Sequence, residues 1–279
     1  MINYIKSPLN YIGNKYKLLP QIVPLFPKQI NTFVDLFCGG GDVCANVVAD
    51  IVKANDINFH VIELFETFQC NNIDSILNHI DQRIEEWQLS KINKEGFEQF
   101  REFYNSNPSP LDLYVLGCFS FNNQFRFNNN HKYNSSFGKN RSYFTDAMRN
   151  NLIDFHKTIN KVEFSSLDFV DYDLSNLGND DFVYADPPYL STCGSYNDGK
   201  RGFRGWGEKD EIELYDRLKL LSKNNVKWAL SNNLSTNPLL LDFVTENNLT
   251  IHEIYTTYKN CNYQKKDKSE AKEVLITNY

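Results

Sequence analysis

Several familiar signals are missing from this 279-residue chain, and each absence closes a class of function. No apolar run approaches the roughly 18 residues of a membrane span, and no charged-then-apolar start resembles a secretory leader. Cysteine occurs at 38, 44, 70, 118, 193 and 261 but never as Cys-x-x-Cys. That argues against a zinc ribbon or a disulfide framework and leads to the expectation of reduced, cytosolic thiols. His60, His79, His131, His156 and His252 show no ligand spacing, so no metal is expected. No internal repeat is present, and Cys38 has neither a Pro-Cys pair nor a neighbouring His to make it a nucleophile. Alanine is scarce, at 7 residues against 36 Asn, a bias that a low-GC genome produces; an isolated Asn therefore carries little functional weight.

Positive charge is also in deficit, with 29 Lys and Arg against 35 Asp and Glu. The total is an average over a segregated distribution. Residues 1–34 carry Lys6, Lys15, Lys17 and Lys28 and no acid, and residues 120–150 carry five bases against Asp146 alone. The stretch 42–114 holds 13 acids and 5 bases. Local field, not net charge, steers a polyanion, so nucleic acid is not excluded.

The length allows one large or two modest domains with an unstapled core. A helix is expected near 15–25, a buried strand at 32–37, and a helical run at 43–48 after Cys38-Gly39-Gly40-Gly41-Asp42. A second strand ends at Lys53 to Asn58, which completes a β–glycine loop–α–β unit. Apolar spacing is helical from about 59 to 120, and 121–142 is a polar, aromatic loop. Strand patterns return at 161–164 and 181–185. A Gly-rich excursion at 194–207 precedes a helix near 208–223, and strands follow at 227–231, 250–255 and 273–277. The pattern is α/β, then a helical insert, then α/β again, which suggests a parallel-sheet core with one inserted domain.

Two turns carry chemistry. Gly39, Gly40 and Gly41 let backbone approach a ligand, but Cys44 breaks Gly-x-Gly-x-x-Gly and disfavours a dinucleotide. Asp56, 15 positions after the last glycine, is placed to accept from a ribose diol. Asp186-Pro187-Pro188-Tyr189 follows an apolar strand; its prolines lack N–H groups, so the carboxylate and a proline carbonyl make an acceptor-only pocket for an exocyclic amino group. Tyr189 adds a flat face for stacking on a base.

These two turns, with Asn10-Tyr11-Ile12-Gly13-Asn14-Lys15 and Asn55-Asp56-Ile57-Asn58 in this order, resemble the Dam-type (D12 class, group α) DNA adenine-N6 methyltransferases over essentially the whole chain. The closing Glu273 to Tyr279 also looks like that family's last strand. The resemblance implies a Rossmann-like sheet, mostly parallel with one antiparallel strand. It implies a catalytic domain at 1–58 and 157–279 and a mainly helical DNA target-recognition domain at 59–156. It further implies S-adenosyl-L-methionine as cofactor, held by Tyr11, Gly13, Lys15, Phe37, Gly39, Gly41, Asp56, Asp168, Phe169 and Asp186, with Asp186, Pro187 and Tyr189 catalytic. Tyr11 stands for a more usual Trp and Asp35 for a more usual Glu.

Phe121-Asn122-Asn123-Gln124-Phe125-Arg126-Phe127-Asn128, continuing through Lys132-Tyr133-Asn134-Ser135-Ser136-Phe137-Gly138, looks like the family's base-reading hairpin. Arg126 matches a base-reading position and Phe121 an intercalating one, with Asn122, Gln124, Asn128, Asn134 and Lys139 as further contacts to double-stranded DNA. Asn123 and Gln124 depart from the Gly and Leu usual for GATC, which leaves the target sequence open, GATC included. The implied chemistry is methylation of an adenine flipped from the duplex, by a cytoplasmic monomer of prokaryotic or phage origin, with a cognate restriction endonuclease as a partner where the setting is restriction–modification. Cytosine-N4 methylation, RNA adenine methylation and a catalytically silent DNA-binding paralogue are the alternatives.

Overall fold

The computed structural model describes residues 3–190, 205–235, 237–255 and 273–279. Among the described residues, seven short runs form strands: β1 (Thr32–Asp35), β2 (Ile51–Asn55), β3 (Val162–Ser165), β4 (Phe182–Ala185), β5 (Lys227–Asn233), β6 (Thr250–Ile254) and β7 (Glu273–Thr277). They form one sheet in the order β3-β2-β1-β4-β5-β7-β6. β7 runs antiparallel to both of its neighbours, and the other pairs are parallel. The mixed α/β class and the single reversed strand agree with the sequence expectation.

β1, β4 and β7 are buried along their whole length, which explains why they read as continuous apolar runs rather than alternating ones. Successive side chains leave opposite faces of a strand. Phe33, Phe182, Tyr184, Ala229 and Leu275 therefore enter one core, and Val34, Val183, Ala185, Leu230 and Ile276 the other. The first core is closed by α2 (Phe59–Cys70), α5 (Pro110–Phe119) and α6 (Asp146–Ile159), the second by α7 (Glu208–Lys223) and α8 (Pro238–Glu246).

Around α5 stand α3 (Ile73–Glu86) and α4 (Lys94–Ser106). Every residue of α5 from Asp112 to Phe119 is buried, so this helix is apolar all round and central to the insert. Asp112 is its one buried charge, taken up by His79 Nε2 at 2.7 Å and Arg83 Nε at 2.9 Å from α3. Asn72 and Asn93 accept from the Ser75 and Gly96 N–H groups and so cap α3 and α4; these Asn residues have local, structural work.

Three expectations shift. The helix expected at 15–25 is a short helix α1 (Leu19–Ile22) between two 3₁₀ turns, because Pro20 and Pro24 remove N–H donors inside it. Residues 43–46 form turns and 47–48 irregular backbone rather than a helix. Asn46 Nδ2 donates to the Ile5 and Asp42 carbonyls and its Oδ1 accepts from Ile5 N, which ties this stretch to the chain start. Helices α6 and α8 occupy stretches where no element was expected. The Gly-rich excursion at 194–207 lies outside the described residues up to 204. Within 120–144 the chain turns back on itself, with bridges Ser120↔Phe137 and Phe127↔Tyr133.

Candidate active site

In an open parallel sheet, ligands bind at the carboxyl ends of the strands where the strand order reverses. Here that point lies between β1 and β4. The turns leaving β1, β2, β3 and β4 line a cavity of about 250 Å³ together with the loop at residues 11–15. Tyr11, Gly13, Lys15, Phe37, Gly39, Asp56, Asp168, Phe169, Asp186, Pro187 and Tyr189 all stand in its wall. Residues scattered over 179 positions of sequence are thus brought together by the topology of the sheet. Gly41 stands outside that wall.

The glycine loop is shaped by its neighbours. A Cβ on Gly40 would lie 2.8 Å from Tyr11 Cβ, and one on Gly39 would lie 3.1 Å from the Tyr11 ring. Gly41 has φ +80°, and a Cβ there would meet the Phe155 ring at 3.0 Å. So Tyr11 closes over the loop, while Gly41 lets α6 approach from below. Asp56 holds the loop from the side: its Oδ2 accepts from Gly39 N at 2.9 Å and its Oδ1 from Asn58 N at 2.8 Å. Burial raises the Asp56 carboxyl above its ordinary value, partly offset by those two N–H groups.

At the end of β4 is an ion-pair cluster. Lys15 Nζ lies 2.7 Å from Asp186 Oδ2 and 3.6 Å from Glu273 Oε1, and it donates to the Gly13 carbonyl at 3.1 Å. The Tyr189 hydroxyl reaches Asp186 Oδ1 at 3.3 Å and Glu273 Oε1 at 3.1 Å, and Lys15 Nζ sits 5.4 Å from the Tyr189 ring centroid. Burial alone would depress the Lys15 ammonium, but the two carboxylates hold it above its usual range. Asp186 is pushed up to about 6, first by burial and then by Glu273, against the pull of Lys15.

A further carboxylate faces the same cavity. Asp35 at the end of β1 is buried, and among the described residues neither of its oxygens makes a well-formed hydrogen bond, the Cys44 N–H giving only a minor counter-pull. Burial and the neighbouring Asp186 hold its carboxyl well above the ordinary value. A buried carboxylate so weakly bonded in a cavity wall calls for a cationic or donor group from a ligand.

The opposite wall is aromatic. Phe37 and Phe169 stand 5.4 Å apart, and the Trp206 ring meets them at 5.6 and 5.3 Å. Phe125 and Phe127 from the 121–142 segment also enter the lining. Glu273, Trp206, Phe125, Phe127 and Asp35 lie beyond the site set inferred from motifs. Trp206, between Gly205 and Gly207, has the one visible signal, an indole at the entry to a helix.

The 121–142 segment, expected to read bases, lies against the cavity, whose lining includes its Phe125 and Phe127. Asn10 Nδ2 donates to the Asn122 carbonyl at 2.6 Å, which fastens the 121–123 turn to the loop carrying Tyr11 and Lys15. Phe121 is 45% exposed and its ring lies 5.0 Å from the Arg141 guanidinium, whose Nη1 donates to Asn122 Oδ1. Arg126, Asn134 and Lys139 are exposed. Asn128 uses its Oδ1 to accept from the Asn130 and Lys132 N–H groups and shapes the hairpin turn, so that oxygen already has work within the loop. The Gln124 Oε1 is buried without a partner, and the Gln124 carbonyl accepts from Ser135 Oγ and Tyr133 OH.

The sheet order, the glycine loop and the Asp-Pro-Pro-Tyr turn at the switch point define the class: a Rossmann-like methyltransferase. Within that class the chain belongs to the family described as D12 class N6 adenine-specific DNA methyltransferase, whose profile matches residues 11–269. Modification methylase StsI of Streptococcus sanguinis is 49% identical over 282 residues, covering 99% of this chain and 43% of that protein. Type II methyltransferase M.FokI of Planomicrobium okeanokoites is 49% identical over 283 residues, again 99% of this chain and 43% of the relative. Type II methyltransferase M1.LlaDCHI of Lactococcus lactis subsp. cremoris is 25% identical over 273 residues, which cover 96% of this chain and 94% of that protein. The chain therefore spans less than half the length of the first two relatives.

Proposed function

We propose that this chain methylates the N6 amino group of an adenine flipped out of double-stranded DNA, with S-adenosyl-L-methionine as donor. The observation that carries the reading is the acceptor cluster at the end of β4, where Asp186 and the Pro187–Pro188 turn face a cavity walled by aromatic rings. An adenine amino group offers two N–H donors and no acceptor, which matches a carboxylate beside a proline carbonyl. The donor, when bound, supplies a methyl group on a sulfonium.

The residues present fit that donor. The weakly bonded Asp35 carboxylate suits a cationic part, Asp56 beside the glycine loop suits a ribose, and the rings of Phe37 and Phe169 suit an adenine. Tyr11, Gly13, Lys15, Gly39 and Asp168 complete the same wall. Asp186 and Pro187 would accept from the target N6 group, orient its lone pair and stabilise the positive charge that develops there. Tyr189, held by Asp186 and Glu273, offers the stacking face. Lys15 keeps Asp186 ionised and aimed into the cavity.

The flipped base must come from DNA lying across the exposed Phe121–Arg126 edge, which the Asn10–Asn122 bond holds beside the cavity. On this reading 59–156 is the target-recognition part, with Phe121 as wedge, Arg126 as base reader, and Asn122, Gln124, Asn134 and Lys139 beside them. Residues 1–58 and 157–279 form the catalytic part. The Streptococcus sanguinis relative is a modification methylase, which favours a restriction–modification setting.

Asp186→Ala should abolish transfer of radiolabelled methyl groups to duplex DNA while DNA affinity stays within a few-fold. Retained turnover would sink the assignment.

A further inference from the structure

The aromatic wall of the cavity depends on a carboxylate that no motif marks. Trp206 is half-buried, and the only polar atom of its side chain, Nε1, donates to Glu211 Oε2 at 2.6 Å. Glu211 is fully buried on the first turns of α7. Its other oxygen accepts from Tyr215 OH at 2.9 Å, Asn232 Nδ2 at 2.7 Å and Asn237 Nδ2 at 2.5 Å. All four partners are donors, so the side chain at 211 must be an acceptor throughout, which an ionised carboxylate is and an amide is not. The donors come from α7, from β5 and from the start of α8, so the carboxylate is pinned by the scaffold behind the cavity and passes that rigidity to the indole. A helix N-terminus adds a favourable field for the negative charge.

On the cavity side, the indole meets Phe37 edge-on, with 85° between the rings, and tilts 49° against Phe169. Three rings on two different turns and one helix entry thus form a corner. A corner of this kind takes a flat heteroaromatic ring, but only while the indole is held; a Trp at a half-buried position between two glycines has two free torsions and room to leave. We propose that Glu211 is a positioning residue that locks Trp206 against Phe37 and Phe169, so that the three rings form a preorganised slot for the adenine ring of the methyl donor. This rests on the cofactor assignment made above.

The test is a double-substitution cycle on the full chain, read in two ways. S-adenosylhomocysteine, which carries the same adenosyl group and cannot react, is titrated by calorimetry into the natural protein, Glu211→Gln, Trp206→Phe and the double variant. Emission excited at 295 nm is recorded without ligand, taking the natural-minus-Trp206→Phe difference as the signal of that indole; Trp87 and Trp228 cancel. Loss of a hydrogen bond to a charged group should weaken ligand binding by about tenfold in Glu211→Gln and shift the Trp206 emission. In the Trp206→Phe background, the same Glu211→Gln change should cost less than about twofold, because the group it positions is gone. An equal loss in both backgrounds would overturn the proposal, showing that Glu211 acts through general stability, and so would unchanged binding in Glu211→Gln. If the natural protein fails to bind S-adenosylhomocysteine, the cofactor assignment falls and the adenine slot with it, even where the emission shift shows the indole anchored. The first failure therefore reads differently from the second.

Discussion

Lys15→Met removes the cation paired with Asp186 and Glu273 and leaves a side chain of similar length. Asp186 lies 2.7 Å and Glu273 3.6 Å from the lost Nζ. At an effective dielectric of about 20 the attraction to Asp186 alone is about 6 kcal/mol before desolvation, and breaking such a pair costs a net of roughly 3 kcal/mol of stability. The sharper consequence is a shift of titration. Asp186 is held near 6 by burial and by Glu273, with Lys15 pulling the other way. Removing a cation at contact distance raises a carboxyl by roughly one to three units.

On the proposed reading Asp186 acts as an acceptor in methyl transfer, so turnover in the natural protein should fall as pH drops through about 6. In Lys15→Met that acid limb should move up to roughly pH 7–9, with the plateau recovered in part at alkaline pH. The stability sign follows the same logic. Because the native Asp186 value is raised, its ionisation costs stability above about pH 6, and that cost is relieved as pH falls through 6 toward the unfolded value. The penalty of Lys15→Met should therefore be largest at neutral pH and shrink at pH 5, where Asp186 is protonated in both proteins. Single-turnover methyl transfer across pH 5–9 and urea unfolding at pH 7.5 and 5 measure the two effects. An acid limb that stays near 6 with only a lowered plateau would refute the electrostatic reasoning.

Arg126→Ala should relax the sequence choice of methylation, seen by long-read mapping of modified DNA, while the affinity for S-adenosylhomocysteine is unchanged; an unaltered methylation pattern counts against a base-reading role. Asp112→Ala should destabilise the helical insert by roughly 3 kcal/mol, since it strips the buried acceptor shared by His79 and Arg83. Burial would raise the Asp112 carboxyl, but those two partners hold it below its ordinary value. Its stabilisation is present above about pH 4 and is lost as pH falls through the native value, so the gap to the variant should close only in acid. A constant gap down to pH 2 in thermal unfolding would contradict this.

How much of this site could be read from sequence depends on how local each part is. Asp186-Pro187-Pro188-Tyr189 and the three glycines are contiguous, and their chemistry follows from residue type: prolines without donors, glycines without Cβ atoms. The strands β1, β4 and β7 are short runs buried on both faces, which is why they stood out as apolar stretches. Helices α6 and α8 did not stand out, one with a mixed polar surface and the other opening on Pro238 and three leucines that suit several structures. The Asn residues divided only in three dimensions: Asn72 and Asn93 cap helices and Asn128 shapes a turn, whereas Asn122 is exposed beside Phe121.

The sequence by itself determined the class of sheet, the acceptor turn and the glycine loop, because those are written in consecutive residues and in apolar periodicity. Tertiary structure alone decided which charges meet. Glu273 opens a strand and would read as a solvated end, but β7 inserts between β5 and β6 and carries it to within 3.6 Å of Lys15. Glu211 lies in the first turns of a helix, where acids are ordinary, and becomes the anchor of Trp206 only because Asn232 and Asn237 arrive from β5 and the start of α8. Pairings of that kind depend on strand order and on burial, which set the dielectric and the partners of each charge, and neither is encoded within any local window of the chain.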